Sequence, residues 1–480
     1  MLNISVSEII PLLAIAALAL YVAANLGAND VANSMGTSVG SKALTLRQAI
    51  IVAGILEFTG AVLFGKGVSE TLATGVVNAE VFAKEPQVFL IGMVSVLAAC
   101  GLWLQIATRM GLPVSSSHAV VGAIAGFSWV AAGLGAVDWL TIGTISLTWL
   151  ATPFASGTLA AIFYSLVKYS ILERPDPLAR MREWIPWLST AMLSIFGIIV
   201  LPSVVDVVFV QTGILAQIHH RFGWNIPVQD VTIGLGAIAT MALTQTSWQK
   251  LASAGTPVEG NQEGTPPYPP LGGKQEGTPL GGKQEGTPLG GNQEGTPLGG
   301  KQEGTPLSLS LIEQQMARFQ ALSACFVAFA HGSNDVGNAI APLAAIVYIR
   351  RTGSFPLNDF TVPLWILVLG GVGIVIGLAL WGENVIATVG EGIIQLQPSG
   401  GFCAELATAA TVLLASRLGL PVSTSHALVG AVVGVGLVNS WKSVRWQTLR
   451  SIGSAWLVTI PIAAGLAAGI FSIVQWIVLK

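Results

Sequence analysis

Charge is scarce in this chain. Of its 480 residues, 22 are Lys or Arg and 24 are Asp or Glu, so charged side chains make up 10% of the sequence. A soluble domain carries about 25%. Hydrophobic residues (52%) and a mean hydropathy of +0.70 take the place of charge, which excludes a water-soluble globular protein. No basic cluster is interleaved with aromatics, so a nucleic-acid surface is excluded as well, and a net charge of −2 selects no partner. Cysteine is nearly missing. Cys100, Cys325 and Cys403 lie far apart in apolar runs, with no Cys-x-x-Cys pair, and read as small buried hydrophobes. The first apolar run, 9–28, lacks a basic leader and is too long for a signal-peptide core, so it is expected to be retained.

What is present is a series of long apolar runs. Spanning a bilayer takes about 20 apolar residues. Candidates fall at 9–28, 46–65, 88–108, 112–135, 140–171 (with a bend at Pro153), 186–205, 229–247, 319–349, 363–381, 402–417, 419–438 and 453–478. The expected fold is an all-α polytopic membrane protein of twelve or so transmembrane helices, some of them half-helices or re-entrant hairpins. The 56 glycines suit helices that pack closely. The runs at 112–135 and 419–438 open with Leu-Pro-Val-Ser, and proline fits the first turn of a helix, so these are the candidates for helices that start inside the membrane.

Three segments follow: a first membrane repeat with connecting helices at 1–250, a linker at 251–310 and a second membrane repeat at 311–480. In the linker, Lys-Gln-Glu-Gly-Thr-Pro-Leu-Gly-Gly begins at Lys274 and recurs from Lys283 and, with Asn, from Asn292; a truncated copy starts at Lys301. Gly, Pro, Gln and Glu without an apolar face cannot bury a core, so the linker is expected to be disordered and to take no part in transport. With the N-terminus outside, Lys42, Arg47, Arg109, Lys168, Arg174, Arg180, Arg182, Lys250, Lys442, Arg445 and Arg450 fall inside, and so does the linker. Lys66, Lys84, Arg221, Arg350, Arg351, Arg417 and Lys480 fall outside, so the bias is modest.

The repeats show in two pairs of motifs. Asn29-Asp30-Val31-Ala32-Asn33 returns as Asn334-Asp335-Val336-Gly337-Asn338. Leu112-Pro113-Val114-Ser115-Ser116-Ser117-His118-Ala119 returns as Leu420-Pro421-Val422-Ser423-Thr424-Ser425-His426-Ala427. Asp30 precedes Pro113 by 83 positions and Asp335 precedes Pro421 by 86. The charge-derived orientation puts the two copies in opposite directions, an inverted repeat of the kind that forms a site at the membrane midplane.

Carboxylates inside apolar sequence are costly and mark function. Asp30 and Asp335 supply negative charge or carry protons, and Asn29, Asn33, Asn334 and Asn338 supply donors and acceptors. Gly27 and Gly332 are expected to loosen the backbone before each motif. The Ser115-Ser116-Ser117 and Ser423-Thr424-Ser425 clusters stand at helix starts, where free N–H groups and hydroxyls cradle an anion without a basic side chain. Lys and Arg are missing from all four stretches. Two carboxylates can share a site with an anion only if cations intervene, which makes the two affinities interdependent, the basis of symport. The residues thus point to cation-coupled uptake of an oxyanion, with Na+ or H+ at Asp30 and Asp335.

Glu57 and Glu405 break the duplication: the motif alignment sets Glu57 against an apolar position near Ile374 and Glu405 against Leu97. Both are expected to serve the coupling cation or gating. His118 and His426 are expected to donate to the hydroxyl clusters and orient them. His331 has no equivalent in the first copy, and His219-His220-Arg221 reads as a wet loop.

These motifs resemble the PiT family of inorganic phosphate transporters. Gly27-Ala28-Asn29-Asp30-Val31-Ala32-Asn33-Ser34 and His331-Gly332-Ser333-Asn334-Asp335-Val336-Gly337-Asn338-Ala339 look like its duplicated signature, and Leu-Pro-Val-Ser-x-Ser-His at 112–118 and 420–426 matches its second pair. The resemblance extends over roughly 10–250 and 315–478 and leaves out the repetitive linker. It implies a homodimer of inverted-repeat, mostly twelve-helix protomers in the plasma or inner membrane. Such a protein takes up phosphate with Na+ or H+, without a cofactor. Phosphate is then expected near the Asp/Asn motifs and hydroxyl clusters. Glu57 and Glu405 match transport-critical glutamates of animal members, while a third such glutamate corresponds to Met93 here.

Sulfate is the nearest alternative substrate. Phosphate keeps a proton near neutral pH that it can donate to Asp30 or Asp335, whereas sulfate has none, which favours phosphate. A passive anion channel is a further alternative. An intramembrane hydrolase using Ser115 or Ser117 with His118 is disfavoured, because neighbours on one helix point in different directions, so no enzyme is expected.

Overall fold

The computed structural model describes residues 6–210, 212–223, 227–254, 307–356, 360–389 and 393–478. Most of the linker expected at 251–310 lies outside them. The described chain is helical, with one isolated β-bridge between Val77 and Val137. In the first half run α1 (Val6–Gly40), α2 (Leu46–Phe64), α3 (Lys66–Thr74), α4 (Ala79–Phe82), α5 (Pro86–Arg109), α6 (Ser116–Ala132) and α7 (Trp139–Val167). Four connecting helices follow: α8 (Pro177–Ile199), α9 (Leu201–Val205), α10 (Ile214–Phe222) and α11 (Val228–Ala254). The second half holds α12 (Leu307–Thr352), α13 (Leu364–Val389), α14 (Pro398–Arg417), α15 (Thr424–Asn439) and α16 (Trp446–Val478).

Among the described residues, seven helices are long and apolar enough to cross a membrane, and an eighth is gained if α8 and the segment after it, bent by 57°, count as one span. This is fewer than the twelve runs read from the sequence. Two of those runs have become α6 and α15, of 17 and 16 residues. At 1.5 Å per residue each is about 25 Å long, short of the ~30 Å hydrocarbon core.

Each short helix is the second arm of a hairpin, and the turn shows why. α5 and α14 both end at a glycine with a φ of 66°, Gly111 and Gly419, a left-handed conformation that suits residues without a Cβ. The next N–H folds back: Leu112 N bonds Ala107 O at 2.9 Å and Leu420 N bonds Ala415 O at 3.0 Å. These are the six-to-one bonds of a Schellman cap. Pro113 and Pro421 then lie in extended chain, not in the first helical turn as expected. Helix start is set by Ser115 and Ser423, whose side chains accept from the N–H groups of His118 and His426.

The loosening expected at Gly27 and Gly332 is also absent. α1 runs unbroken through Asn29, Asp30 and Asn33 to Gly40, and α12 continues likewise past Asn338 to Thr352. Several of the motif side chains that could compete for the helix backbone have partners on other elements instead. Gly27 and Gly332 do not loosen these helices; they let helices touch. A Cβ on Gly27 would lie 2.2 Å from the Ile374 carbonyl oxygen, and one on Gly332 would lie 2.0 Å from that of Glu57.

These two contacts illustrate a wider rule of the fold, in which each half packs against the other. α1 lies on α13 and α12 on α2; α6 lies on α16 and α15 on α7; α5 touches α16 and α14 touches α7. Each of these cross-half pairings has its counterpart; the contact of α3 on α12 has none. The resulting core is continuous from Ala19 and Leu26 of α1 through Phe89 and Phe127 to Ile340, Ile374 and Phe471. α8 and α11 pack on each other, outside this pairing scheme. His219, His220 and Arg221 form the last turn of α10, a helix and not the expected loop.

Candidate functional site

The four motifs meet in the interior. Asn29, Asp30, Asn33, Asn334, Asp335 and Asn338 are all buried, and so are Ser115, Ser116, Ser117, Ser423, Thr424 and Ser425. α1 and α12 bring the Asp/Asn faces together at their middles, and the two hairpins bring their helix starts to the same place. Ligand atoms of Asp30, His331 and Asp335 lie within 4.8 Å of one another.

Hydrogen bonds tie the motifs together. Thr424 Oγ1 donates to Asp335 Oδ2 at 2.9 Å, and Asn334 Nδ2 donates to Asp335 Oδ1 at 2.6 Å. Asn338 Nδ2 reaches Ser116 Oγ and Ser117 Oγ at 3.1 and 3.2 Å. Asn33 Nδ2 donates to Asp30 Oδ1 at 3.2 Å, and Asn29 Nδ2 to Thr108 Oγ1 and the Leu112 carbonyl at 3.0 and 3.3 Å. Among the buried oxygens without a hydrogen-bond partner in the described residues are Asp30 Oδ2, Asn29 Oδ1, Asn338 Oδ1 and Glu57 Oε2. Carboxylates and amide carbonyls are the donors that hard cations take, and burying them unmatched is costly.

His331 is the residue that sequence reasoning left out of the site. Its Nε2 stands 2.9 Å from Asp335 Oδ2 and its Nδ1 3.2 Å from Glu57 Oε1, with all three side chains shut off from solvent. The signal was present: His331 and Asp335 are four apart and so share a helix face. Among the described residues the other ion pairs, such as Lys66–Glu70 and Arg180–Glu183, are exposed or half-exposed.

The two asymmetric glutamates part company. Glu57 on α2 joins the site through His331 and accepts from Ser34 Oγ at 2.8 Å. Glu405 on α14 is held elsewhere along the same two helices. Thr37, Ser38 and Gln320 donate to its Oε1 at 2.7, 2.6 and 3.1 Å, and Ser323 to its Oε2 at 2.7 Å. Thr37 lies seven residues beyond Asp30 on a continuous helix, about 10 Å along the axis. Glu405 thus has a cradle of its own, built by α1 and α12 together.

His118 and His426 do not orient the hydroxyl clusters through their rings. Their Nδ1 atoms face the backbone oxygens of Trp456 and Trp149 at 3.3 and 3.1 Å. Their backbone N–H groups make the Ser115 and Ser423 caps.

Comparison with known proteins adds the family. The profile of the phosphate transporter family matches residues 26–467. The chloroplastic inorganic phosphate transporter 2-1 of Arabidopsis thaliana is 38% identical over 96% of this chain and 71% of its own length. A putative phosphate permease of Thermococcus kodakarensis is 34% identical over 94% of each chain. A solved structure described as the sodium-dependent phosphate transporter superposes with a TM-score of 0.76, at 32% identity, over 97% of this chain and 99% of that one.

Proposed function

The chain belongs to the phosphate transporter family, and on that premise we propose that it is a secondary transporter importing inorganic phosphate together with Na+. The observation that carries this reading is one buried site holding Asp30 and Asp335 together with the N-termini of α6 and α15. The helix starts and the hydroxyls of Ser115, Ser116, Ser117, Ser423, Thr424 and Ser425 bind the anion. Asp30 and Asp335, with Asn29, Asn33, Asn334 and Asn338, hold the cation and complete the phosphate shell.

The electrostatics require both ions. Oxygens of Asp30 and Asp335 lie within 4.8 Å of each other, and unit charges at that range interact by roughly 3–4 kcal/mol per pair at an effective dielectric near 20. An anion meeting two carboxylates is repelled by each, and one Na+ among them attracts all three. The unpartnered oxygens of Asp30, Asn29 and Asn338 favour a metal cation over a proton, and the similar solved structure is described as sodium-dependent. Glu57 supports the site through His331, and Glu405 in its hydroxyl and amide cradle is a second cation position. A proton on phosphate bonds a free carboxylate oxygen, which selects phosphate over sulfate.

The reciprocal helix pairings support an inverted repeat, in which one part of each protomer moves against the other. The protomer works in a cell membrane as a homodimer, with the central linker on the cytoplasmic side. Labelled phosphate uptake into liposomes, under sodium and pH gradients imposed one at a time, tests the reading. A sodium gradient alone should drive accumulation, and sulfate should not compete. Accumulation under the pH gradient alone would replace Na+ by H+, and uptake without either gradient would indicate a channel.

A further inference from the structure

The two halves mirror each other closely around the hairpin tips, then differ at one hydrogen bond. His118 and His426 face each other with ring centroids 4.8 Å apart, nearly perpendicular at 87°. The His118 ring lies on Trp149 at 3.9 Å, and the His426 ring lies on Trp456 at 3.7 Å. Each imidazole Nδ1 then reaches the backbone oxygen of the opposite tryptophan, at 3.3 and 3.1 Å. A carbonyl only accepts, so both Nδ1 atoms carry hydrogen. Up to this point an exchange of halves changes nothing.

The indoles break the match. Trp149 Nε1 donates to the Pro421 carbonyl at 3.1 Å in a buried bond. Trp456 is its counterpart, yet its Nε1 is closed off from solvent and has no hydrogen-bond partner among the described residues. Neighbouring bonds lean the same way. Ser117 Oγ and Asn334 Nδ2 both donate to the Val422 carbonyl, at 2.9 and 2.8 Å. Ser425, the counterpart of Ser117, turns instead to Ser423 at 2.9 Å. The amides at the second position lean the other way: Asn338 reaches across to the first hairpin, whereas Asn33 bonds Asp30 on its own helix. Pro421 is buried and Pro113 only half-buried. An indole N–H holds the tip of the second hairpin; the tip of the first has amide bonds, from Asn29 to Leu112 and from Asn338 to Ser116 and Ser117, but no indole bond.

We infer that Trp149 and Trp456 are alternating latches of the transport cycle. The structure holds the state in which Trp149 pins the second hairpin. In the opposite-facing state Trp456 donates to the Pro113 carbonyl, and Trp149 lets go of Pro421. A duplicated unit reaches a second arrangement of similar energy by exchanging the roles of its copies, the bistability that a switching element needs. The buried, unpaired indole N–H of Trp456 is the donor held ready for that exchange. This rests on the transport reading above. Both tryptophans are positioning residues: they hold the hairpins that carry the hydroxyl clusters.

The test reads the balance of the two states without transport. In full-length protein in nanodiscs, with Cys100, Cys325 and Cys403 replaced by Ala, Leu112→Cys or Leu420→Cys serves as the reporter. The rate of labelling by a water-soluble maleimide is measured. Loss of one hydrogen bond changes a two-state ratio about fivefold. Trp149→Phe should therefore raise labelling at residue 420 about fivefold and lower it at residue 112, and Trp456→Phe should move both rates the opposite way. Trp149→Leu, which also removes the indole N–H bonded to Pro421, should follow Trp149→Phe and stands in for it if that variant fails to insert. Shifts in the same direction for both tryptophan variants, or no shift in either, would overturn the latch. Phosphate uptake by the unlabelled wild type is scored separately. If uptake is absent while the labelling pattern holds, the substrate reading fails and the latch is supported.

Discussion

Gly332→Ala is the sharpest perturbation the packing offers. At this position α12 lies directly on the backbone of α2. The added methyl would stand 2.0 Å from the Glu57 carbonyl oxygen and 2.6 Å from its Cα, where ordinary contact starts at 3.4 Å. The obstacle is backbone, so no rotamer relieves it, and the helices must part by about 1.4 Å, the kind of overpacking that costs ~1–3 kcal/mol. The same movement draws Glu57 away from His331 Nδ1 on α12, now 3.2 Å distant, past hydrogen-bonding reach. Thermal unfolding of the purified protein and phosphate uptake in liposomes should therefore both fall. Two companions separate packing from chemistry. Gly27→Ala meets the Ile374 carbonyl at 2.2 Å, where no glutamate stands, and should lose stability with less effect on sodium dependence. Gly453→Ala meets nothing within 4 Å and should be neutral, or stabilising by up to ~1 kcal/mol through helix propensity. Equal melting temperatures and equal uptake for Gly332→Ala and Gly453→Ala would refute the reasoning.

Asp30→Asn and Asp335→Asn should each abolish phosphate accumulation while the protein still inserts, as judged by surface labelling; normal uptake by either would remove that carboxylate from the site. Thr424→Ala deletes the donor 2.9 Å from Asp335, a loss of about 1–3 kcal/mol that should raise the phosphate concentration for half-maximal uptake roughly 5- to 150-fold. An unchanged value would place Thr424 outside the substrate shell. Deleting residues 260–305 should leave uptake intact, and an inserted but inactive deletion variant would show that the repeats take part in transport.

The motif residues were legible because polar groups in apolar sequence stand out, and their duplication gave the order of the parts. The hairpins were legible in outline from the Leu-Pro-Val-Ser starts, though the cap at Ser115 and the left-handed Gly111 decide where the helix begins, not Pro113. Glycine was misread for a physical reason: a mid-helix glycine looks like weakness in one dimension, and its close neighbour, Glu57 or Ile374, is visible only in three. The same holds for the Glu405 cradle. Thr37 is separated from it by 368 positions and Ser323 by 82, and no periodicity links them. His331 could have been paired with Asp335 by helical spacing, but its second contact, Glu57 on another helix, could not. Two of the apolar runs, those of α6 and α15, are shorter helices than hydropathy suggests, because hydropathy reports apolar content and not the caps and turns that end them early.

The central claim is that phosphate and the carboxylates of Asp30 and Asp335 occupy one buried space only when a cation lies among them. Calorimetric titration of phosphate into the purified protein, with sodium present and with sodium replaced by choline at constant ionic strength, tests it most directly. Tight binding in sodium that is lost in choline is the predicted result. The same affinity in both, unchanged between acidic and alkaline buffer, would contradict the account.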